Sequence, residues 1–446
     1  MFAGKYILSP MVRVGGLPFR LTCLDYGADL VYAEEVIAQR LLKCTKIFNE
    51  TLGTVDFLDE DGGVCFRTTS KESDKVIFQM GVSDPDVAAQ AAQMIEHYVA
   101  GIDVNMGCPK DYSIKGNMGA ALLTQPQLIK KILCKLISVC SKPVTCKIRI
   151  LESEEETLSL CKEIESTGVA ALAVHGRTRY TRSSHPCNYD IIQKIKSVVS
   201  IPVILNGASL DINNRSDMTA VMKKTGVDSI MIARAAWYNP SVFRDPEPVS
   251  VREAVQKFMK YCIDYECPLH ILKYTIGKFR GAFKDNQSSL EVTRHIETRL
   301  IYDYFGLGDY YSEVASKRTG DIQEEFQKKK RQKLGEDYKV LQAEITPTIL
   351  QSFRGMIAPR QILNQWLEAN GFSKPKYWTT EHNKIFTGFL QIDNDTYAME
   401  GNFKNKKTAT QAVSYAYCLK HHIELRHYKT GARTLPTCNC ECKSGG

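Results

Sequence analysis

Apolar residues in the first half of the chain come in short runs rather than in strict alternation. The runs are Tyr6–Ser9, Leu30–Ala33, Val76–Gln79, Ile102–Asn105, Val144–Ile148, Ala171–His175, Val203–Asn206 and Ser229–Ile232. They are rich in Val and Ile and apolar nearly throughout, the pattern of strands buried on both faces. Between most of them the period lengthens to that of a helix, as at Asp84–Val99, Gln125–Ser138, Glu154–Thr167 and Tyr189–Val198. Asp84-Pro85 has the chemistry of a helix N-cap followed by a first-turn proline, and Gly168 that of a C-terminal stop. Eight strands with crossover helices over about 235 residues predict a (β/α)8 TIM barrel within an α/β chain, spanning residues 1–239. A doubly wound open sheet is the alternative. The first strand is not followed by a Gly-x-Gly-x-x-Gly turn, which counts against it.

Beyond the barrel, residues 240–310 read as a helical domain, with amphipathic stretches at Val251–Tyr265 and Leu290–Tyr304. Its Lys and Arg residues are either ordinary scaffold surface or a guide for a polyanion. Residues 311–345 are highly charged and predict a solvated helix or linker. Lys328-Lys-Lys-Arg331 within them leaves a nuclear import signal as an alternative. A last module, 346–424, orders as helix, three strands, helix: Pro359–Asn370, Pro375–Glu381, Lys384–Asp393, Thr396–Asn402 and Lys406–His421, with a hairpin turn at Asn394 and Asp395. Residues 425–446 form a tail holding Cys438, Cys440 and Cys442, whose spacing lacks paired Cys-x-x-Cys knuckles; no metal site is expected.

Composition narrows the setting. The 446 residues are 43% hydrophobic and 24% charged, ordinary for a soluble protein, and a net charge of +8 mildly favours an anionic partner. No apolar run is long enough to span a bilayer and no signal peptide opens the chain. Fifteen cysteines, an odd number, are scattered through predicted strands and helices. Free thiols in a reducing compartment follow, so the expectation is a cytoplasmic monomer, with the nucleus as the alternative.

Polar residues gather at the predicted strand ends: Ser9 and Met11, Glu34 and Glu35, Gln79, Asn105, Lys147 and Arg149, His175 and Arg177, Asn206, and Arg234. A barrel brings all of these to one rim, where active sites lie. Any one has a bland explanation, but buried polar groups need partners, and eight such coincidences at one rim argue for a site. Gly101-Ile-Asp-Val-Asn-Met-Gly-Cys-Pro-Lys110 stands out. Its strand must break by Pro109, leaving Cys108 beside Asn105 on a loop that Gly116 and Gly119 let bend. A thiol so placed can donate a proton; a structural cysteine is the other reading. Asn206-Gly-Ala-Ser209 and Ile232-Ala-Arg-Ala235 expose backbone N–H groups after strands seven and eight, where such barrels hold phosphate. Amides at Gln79 and Asn105 suit the edge of a flat heterocycle, and Lys147 suits negative charge on a reduced ring. The set favours a flavin mononucleotide over a sugar phosphate.

These residues carry a resemblance. Ser9-Pro-Met11, Phe78-Gln-Met-Gly81, Asp103-Val-Asn-Met-Gly-Cys-Pro-Lys110, Lys147-Ile-Arg149, Val174-His-Gly-Arg177, Leu205-Asn-Gly207 and Met231-Ile-Ala-Arg234 run in order as in tRNA-dihydrouridine synthases. The resemblance covers roughly residues 1–310. It implies reduction of tRNA uridine to 5,6-dihydrouridine, with FMN as cofactor and NADPH as reductant. Cys108 would then protonate C5 of uracil while reduced FMN gives hydride to C6. Pro10, Met11, Gln79, Asn105, Lys147, His175, Asn206, Gly207, Ala208, Ala233 and Arg234 would hold FMN, with Arg149 and Arg177 toward the RNA. Ala208 departs from the second glycine common after Asn-Gly in that family.

Gly401-Asn-Phe-Lys-Asn-Lys-Lys-Thr-Ala409 resembles the end of a double-stranded-RNA-binding domain, in which Lys404, Lys406 and Lys407 would meet phosphates; no Gly-x-Gly precedes them. A protein-interaction fold with ordinary surface lysines is the competing reading of this module. Together the two resemblances are similar to the eukaryotic branch that modifies uridine 20 of the D-loop. Two other functions compete: an FMN barrel reducing a free pyrimidine, like dihydroorotate dehydrogenases, and a non-catalytic RNA-binding protein. The RNA-binding module argues against the first, and the intact Cys108 and flavin set against the second.

Overall fold

The computed structural model describes residues 1–182, 184–283, 285, 289, 292, 298–318, 339–341, 343, 358–382, 385–403, 405–423, 425–426 and 433–434. The chain divides into two compact units, 1–322 and 323–446. Lys328–Arg331, Lys404 and Cys438, Cys440 and Cys442 lie outside the described residues.

The first unit is built on eight parallel strands: β1 (Tyr6–Leu8), β2 (Leu30–Tyr32), β3 (Val76–Gly81), β4 (Gly101–Met106), β5 (Val144–Arg149), β6 (Ala171–His175), β7 (Val203–Asn206) and β8 (Ser229–Ile232). Each pairs with its neighbours in chain order, and β8 returns to β1 through Leu8 and Ile232, which closes the barrel. The closed barrel explains the unbroken apolar runs, because each strand meets a packed layer on both sides. Ile7, Tyr32, Ile77, Ala171, Ala173, Ile204 and Met231 fill the interior. Alternate residues such as Leu8, Val31, Phe78, Val104, Ile148, Val174 and Leu205 belong to the larger core under the helices.

The predicted caps hold. The Asp84 side chain accepts from the N–H groups of Asp86 and Val87 at the start of helix Pro85–Ile95. Gly168 sits at φ +87°, where a side chain would be strained. The second crossover departs from the regular pattern. A five-residue helix, Ala38–Leu42, is followed by an antiparallel sheet of Thr45–Asn49, Thr54–Leu58 and Val64–Thr68. A buried ion pair pins this insertion to the first helix, with Arg20 Nε donating to Glu72 Oε2 at 2.8 Å.

The helical stretch after β8 does not stand alone. Phe258, Phe279, Tyr302 and Phe305 share the core of the barrel's helices, and Phe19 packs edge-on against Phe258 at 5.9 Å. Residues 308–318 continue helical, and Arg318 Nη2 donates to Ile263 O. The charged linker expected from 311 therefore begins as part of the first unit. Its other end differs too. Lys339–Leu341, here β9, is a strand in the second unit's sheet.

The second unit has helix Pro359–Ala369, strands β10 (Lys376–His382), β11 (Ile385–Ile392) and β12 (Asp395–Phe403), and helix Lys406–Lys420. The helix-strand-strand-strand-helix order matches the expected one, with β9 added in parallel beside β12. Ile392 pairs with Asp395, so the hairpin turn is Asp393-Asn394, one residue earlier than expected. At Gly388 a Cβ would come within 2.1 Å of Ala409 O, so the sheet and the last helix approach as closely as they do only because β11 carries glycine there.

Candidate active site

The C-terminal ends of the strands hold the site, and it is layered. At the bottom is Asp103, fully buried on β4. Thr145 Oγ1 donates to its Oδ1 at 2.7 Å and Gln79 Nε2 to its Oδ2 at 2.8 Å. Burial pushes the carboxyl up to about 6, against those two hydrogen bonds and the nearby Lys147. Asp103 thereby fixes the Gln79 amide. With Nε2 held below, Oε1 lies 3.4 Å from Asn105 Nδ2.

Asn105 ends β4 chemically. Its Oδ1 accepts from the N–H groups of Gly107 and Cys108, both at 3.0 Å. This turn sets the backbone of Cys108, which is half-buried. The following loop folds back tightly: Ala120 N donates to Cys108 O at 2.9 Å. At Gly119, φ +59°, a Cβ would lie 2.7 Å from Cys108 O. That glycine serves close approach as well as bending.

Lys147 faces this layer from β5. Among the described residues it makes no hydrogen bond or ion pair. Burial lowers it to about 8, Arg149 adds to the effect and Asp103 opposes it. His175 is neutral: burial, then the cations Lys147, Arg149, Arg177 and Arg234, push its pKa far down. Its Nε2 is 3.1 Å from Arg177 Nη1. A guanidinium only donates, so Nε2 accepts and the ring proton belongs on Nδ1.

The two arginines expected toward the RNA are both bonded to backbone carbonyls at the rim. Arg177 is 2% exposed, donating to Gly207 O at 2.8 Å and through Nε to His185 O at 2.8 Å. It clamps the loops after β6 and β7 and is turned away from solvent. Arg149, partly buried, donates through Nε to Gly107 O and through Nη1 to Thr178 O. Its bonds tie the Cys108 loop to the loop after β6.

The remaining expected residues share this rim. Asn206 is buried and donates through Nδ2 to Met231 O at 2.8 Å. Gly207 sits at φ +117°, and a Cβ there would lie 2.8 Å from His175 Cδ2. Ala208 is buried, and Ala233 precedes the short helix Arg234–Tyr238. Pro10 is partly buried, and Met11 turns the chain after β1, its carbonyl accepting from Val14 and Gly15. Lys406 and Lys407 belong to the second unit, exposed in the first turn of the helix capped by Asn405. Sequence reasoning gave Asp103 no role of its own. An acid between Ile102 and Val104, in a strand buried on both faces, was the available signal.

This arrangement fits a flavin. A cation without a bonded partner among the described residues, oriented amides, a neutral imidazole and a glycine-lined wall face one mouth. Among the described residues no three His, Cys, Asp or Glu side chains gather as a metal site, and no helix is long and apolar enough to cross a membrane.

Comparison with known proteins agrees with the rim chemistry. A model of the dihydrouridine synthase (Dus) family matches residues 7–332. The tRNA-dihydrouridine(20) synthase [NAD(P)+] of Schizosaccharomyces pombe is 36% identical over 304 residues, 66% of this chain and 63% of that protein, so the chain spans less than two thirds of that relative. The human tRNA-dihydrouridine(20a/20b) synthase [NAD(P)+]-like protein is 32% identical over 311 residues, covering 68% of this chain and 90% of its own length. A solved tRNA-dihydrouridine(20) synthase dsRBD domain aligns with 22% of this chain and 97% of its own, at 19% identity and a TM-score of 0.17. With the family model covering most of its length, and the family's motifs meeting at one barrel rim, the chain belongs to the dihydrouridine synthase family.

Proposed function

We propose that this chain reduces uridine to 5,6-dihydrouridine in the D-loop of tRNA, at position 20, with FMN as its cofactor and NADPH as its reductant. The observation that carries the reading is Lys147, a partly buried cation without a bonded partner among the described residues, set beside the fixed amides of Gln79 and Asn105. The chemistry that FMN would supply, when bound, is a hydride for C6 of the uracil ring. Lys147 would stabilise negative charge on the cofactor, Gln79 Oε1 would accept from its ring edge, and His175 would line its wall. The backbone at Gly207, Ala208, Ala233 and Arg234 would receive its phosphate. Cys108 gives its thiol proton to C5, so hydride and proton together saturate the C5–C6 double bond.

The second unit supplies RNA affinity in this reading. Lys406 and Lys407 extend from a helix N-terminus, and Arg360 lines the same groove with Tyr377 and Trp378. Double-stranded RNA is held largely by phosphates and shape, which suits such a surface.

Cys108→Ala tests the chemistry. The purified variant should remain yellow and still oxidise NADPH through its flavin. Dihydrouridine formation should fall about 10²–10⁴-fold, the usual worth of a placed general acid. Equal turnover in variant and wild type would give the acid's role to another group. A colourless wild-type protein that FMN cannot reconstitute would reject the site.

A further inference from the structure

The Cys108 loop has a neighbour that the reaction above does not use. Tyr112 follows four residues later, on the short helix Asp111–Lys115, and its hydroxyl lies 3.8 Å from Cys108 Sγ. The same hydroxyl donates to Glu35 Oε2 at 2.9 Å. Glu35 comes from the loop just after β2, so two segments distant in sequence converge on one proton line. The other oxygen, Glu35 Oε1, is buried and has no partner within hydrogen-bond geometry among the described residues, although the Asn105 amide helps to steady the carboxyl's charge. It packs against Gly81 at the end of β3, where a Cβ would approach it to 2.6 Å. Burial of this carboxyl outweighs the Tyr112 and Asn105 groups that would steady its charge, which favours a proton on it.

We propose that Glu35 and Tyr112 are positioning residues for the Cys108 acid, with protonated Glu35 donating to the Tyr112 oxygen so that the Tyr112 hydroxyl can donate to the sulfur as its proton leaves. The inference rests on Cys108 being the acid. The balance is simple. The S–H bond breaks, a C5–H bond forms, and the charge left on sulfur is met by the Tyr112 O–H. No proton leaves Tyr112 or Glu35 in that step. With Glu35 ionised the tyrosine proton is held by the carboxylate, as in the geometry described, and the sulfur loses its donor.

The charged groups around the line act in the same sense. Lys147 and Arg149 face Cys108 and favour the forming thiolate, and Arg149 also holds the loop through Gly107 O. Glu35 faces Tyr112 and the neutral Asn105, and burial raises its pKa. The donor line therefore works below the Glu35 pKa and fails as pH rises through it.

The test is single-turnover dihydrouridine formation by the pre-reduced holoenzyme on tRNA, followed across pH for wild type, Tyr112→Phe, Glu35→Gln and Cys108→Ala. Wild type should show a fall in rate with rising pH that Glu35→Gln lacks, because the glutamine amide donates to Tyr112 at every pH. Tyr112→Phe should lose about 10–100-fold at low pH, the worth of one hydrogen bond to a forming anion, and should also lack that limb. Flavin content and NADPH oxidation serve as the folding control for each variant. A Tyr112→Phe rate equal to wild type overturns the proposal. So does a lower rate with an unchanged pH profile, which would mean that Tyr112 only packs the loop. Retention of the limb in Glu35→Gln overturns it as well. If Cys108→Ala keeps the reaction, the acid assignment itself has failed, and that outcome is separate from the others.

Discussion

Asp103→Asn should make the fold more stable near neutral pH while weakening the site above it. The wild-type carboxyl is fully buried and pushed up to about 6 by that burial. An ordinary aspartate titrates near 4, so the ionised form is disfavoured by about two pH units, or about 3 kcal/mol. The sign follows from proton binding. A carboxyl whose folded pKa lies above its unfolded one binds more protons when folded between the two values. Its contribution is present below about pH 4 and is lost as pH rises through about 6. Asparagine is neutral throughout and nearly isosteric. Its Oδ1 can accept from Gln79 Nε2, and its Nδ2 can donate to Thr145 Oγ1 once that hydroxyl turns toward Tyr32, 3.4 Å away.

The first unit spans Met1–Ile322, so its unfolding entropy near the melting point is about 0.7 kcal/mol per kelvin. A gain of about 3 kcal/mol is then a rise of about 4 °C. Melting of flavin-free wild type and variant at pH 4, 5, 6 and 7.5 checks this. The two proteins should melt together at pH 4, and the variant should pull ahead by about 4 °C by pH 7.5. Parallel curves would mean that Asp103 does not titrate in this range. A variant less stable at every pH would mean that the network cannot accept an amide, and the hydrogen-bond reasoning would fall with it.

Two further outcomes follow from the same charges. Lys147 is lowered to about 8, so it loses its charge as pH rises through 8, well before an unfolded lysine would. FMN affinity measured by fluorescence titration should weaken by up to about tenfold per pH unit above 8, and Lys147→Arg should remove that limb; identical profiles would refute the role. In the second unit, changing Lys406 and Lys407 together to Ala should lower tRNA affinity and reduce the salt slope of binding by about two units, about one for each phosphate left without its lysine. An unchanged slope with a lower melting temperature would mark these lysines as structural.

The barrel was legible because its chemistry is repetitive. A strand packed on both faces leaves an unbroken apolar run, and a polar residue at the end of such a run can only be at the rim. The inserted sheet was not legible, for a physical reason. Its inward side includes Thr54, Asp56 and Thr68, all buried, and Asp56 is satisfied by Arg67 at 2.6 Å. Polar residues paired inside a sheet erase the alternation by which a half-buried strand is recognised. The strand Lys339–Leu341 escaped because three residues in a charged stretch carry too little pattern. Arg177 stands at the rim that its strand-end position implies, and its side chain turns inward. A sequence gives the position of a guanidinium, whereas the carbonyls of His185 and Gly207 that turn it inward come together only in the fold.

That inward turn bears on why a crowd of cations can share one barrel mouth. Lys147, Arg149, Arg177 and His175 lie close enough to depress one another, and like charges in a partly dry site repel. The chain resolves this in three ways. His175, buried among these cations, gives up its charge, and its Nε2 accepts from Arg177. The arginines spread theirs over backbone carbonyls, which lock the loops after β4, β6 and β7 to one another. Lys147 has the buried Asp103, and after it Cys108, to oppose the repulsion, and it is bonded to neither among the described residues. A cation kept in that condition is destabilised until an anion arrives, so the same residue that weakens the empty fold gives an anionic cofactor its hold. Asp103 sets the balance. It opposes the burial and repulsion that lower Lys147 to about 8, yet lies too deep to bond it among the described residues.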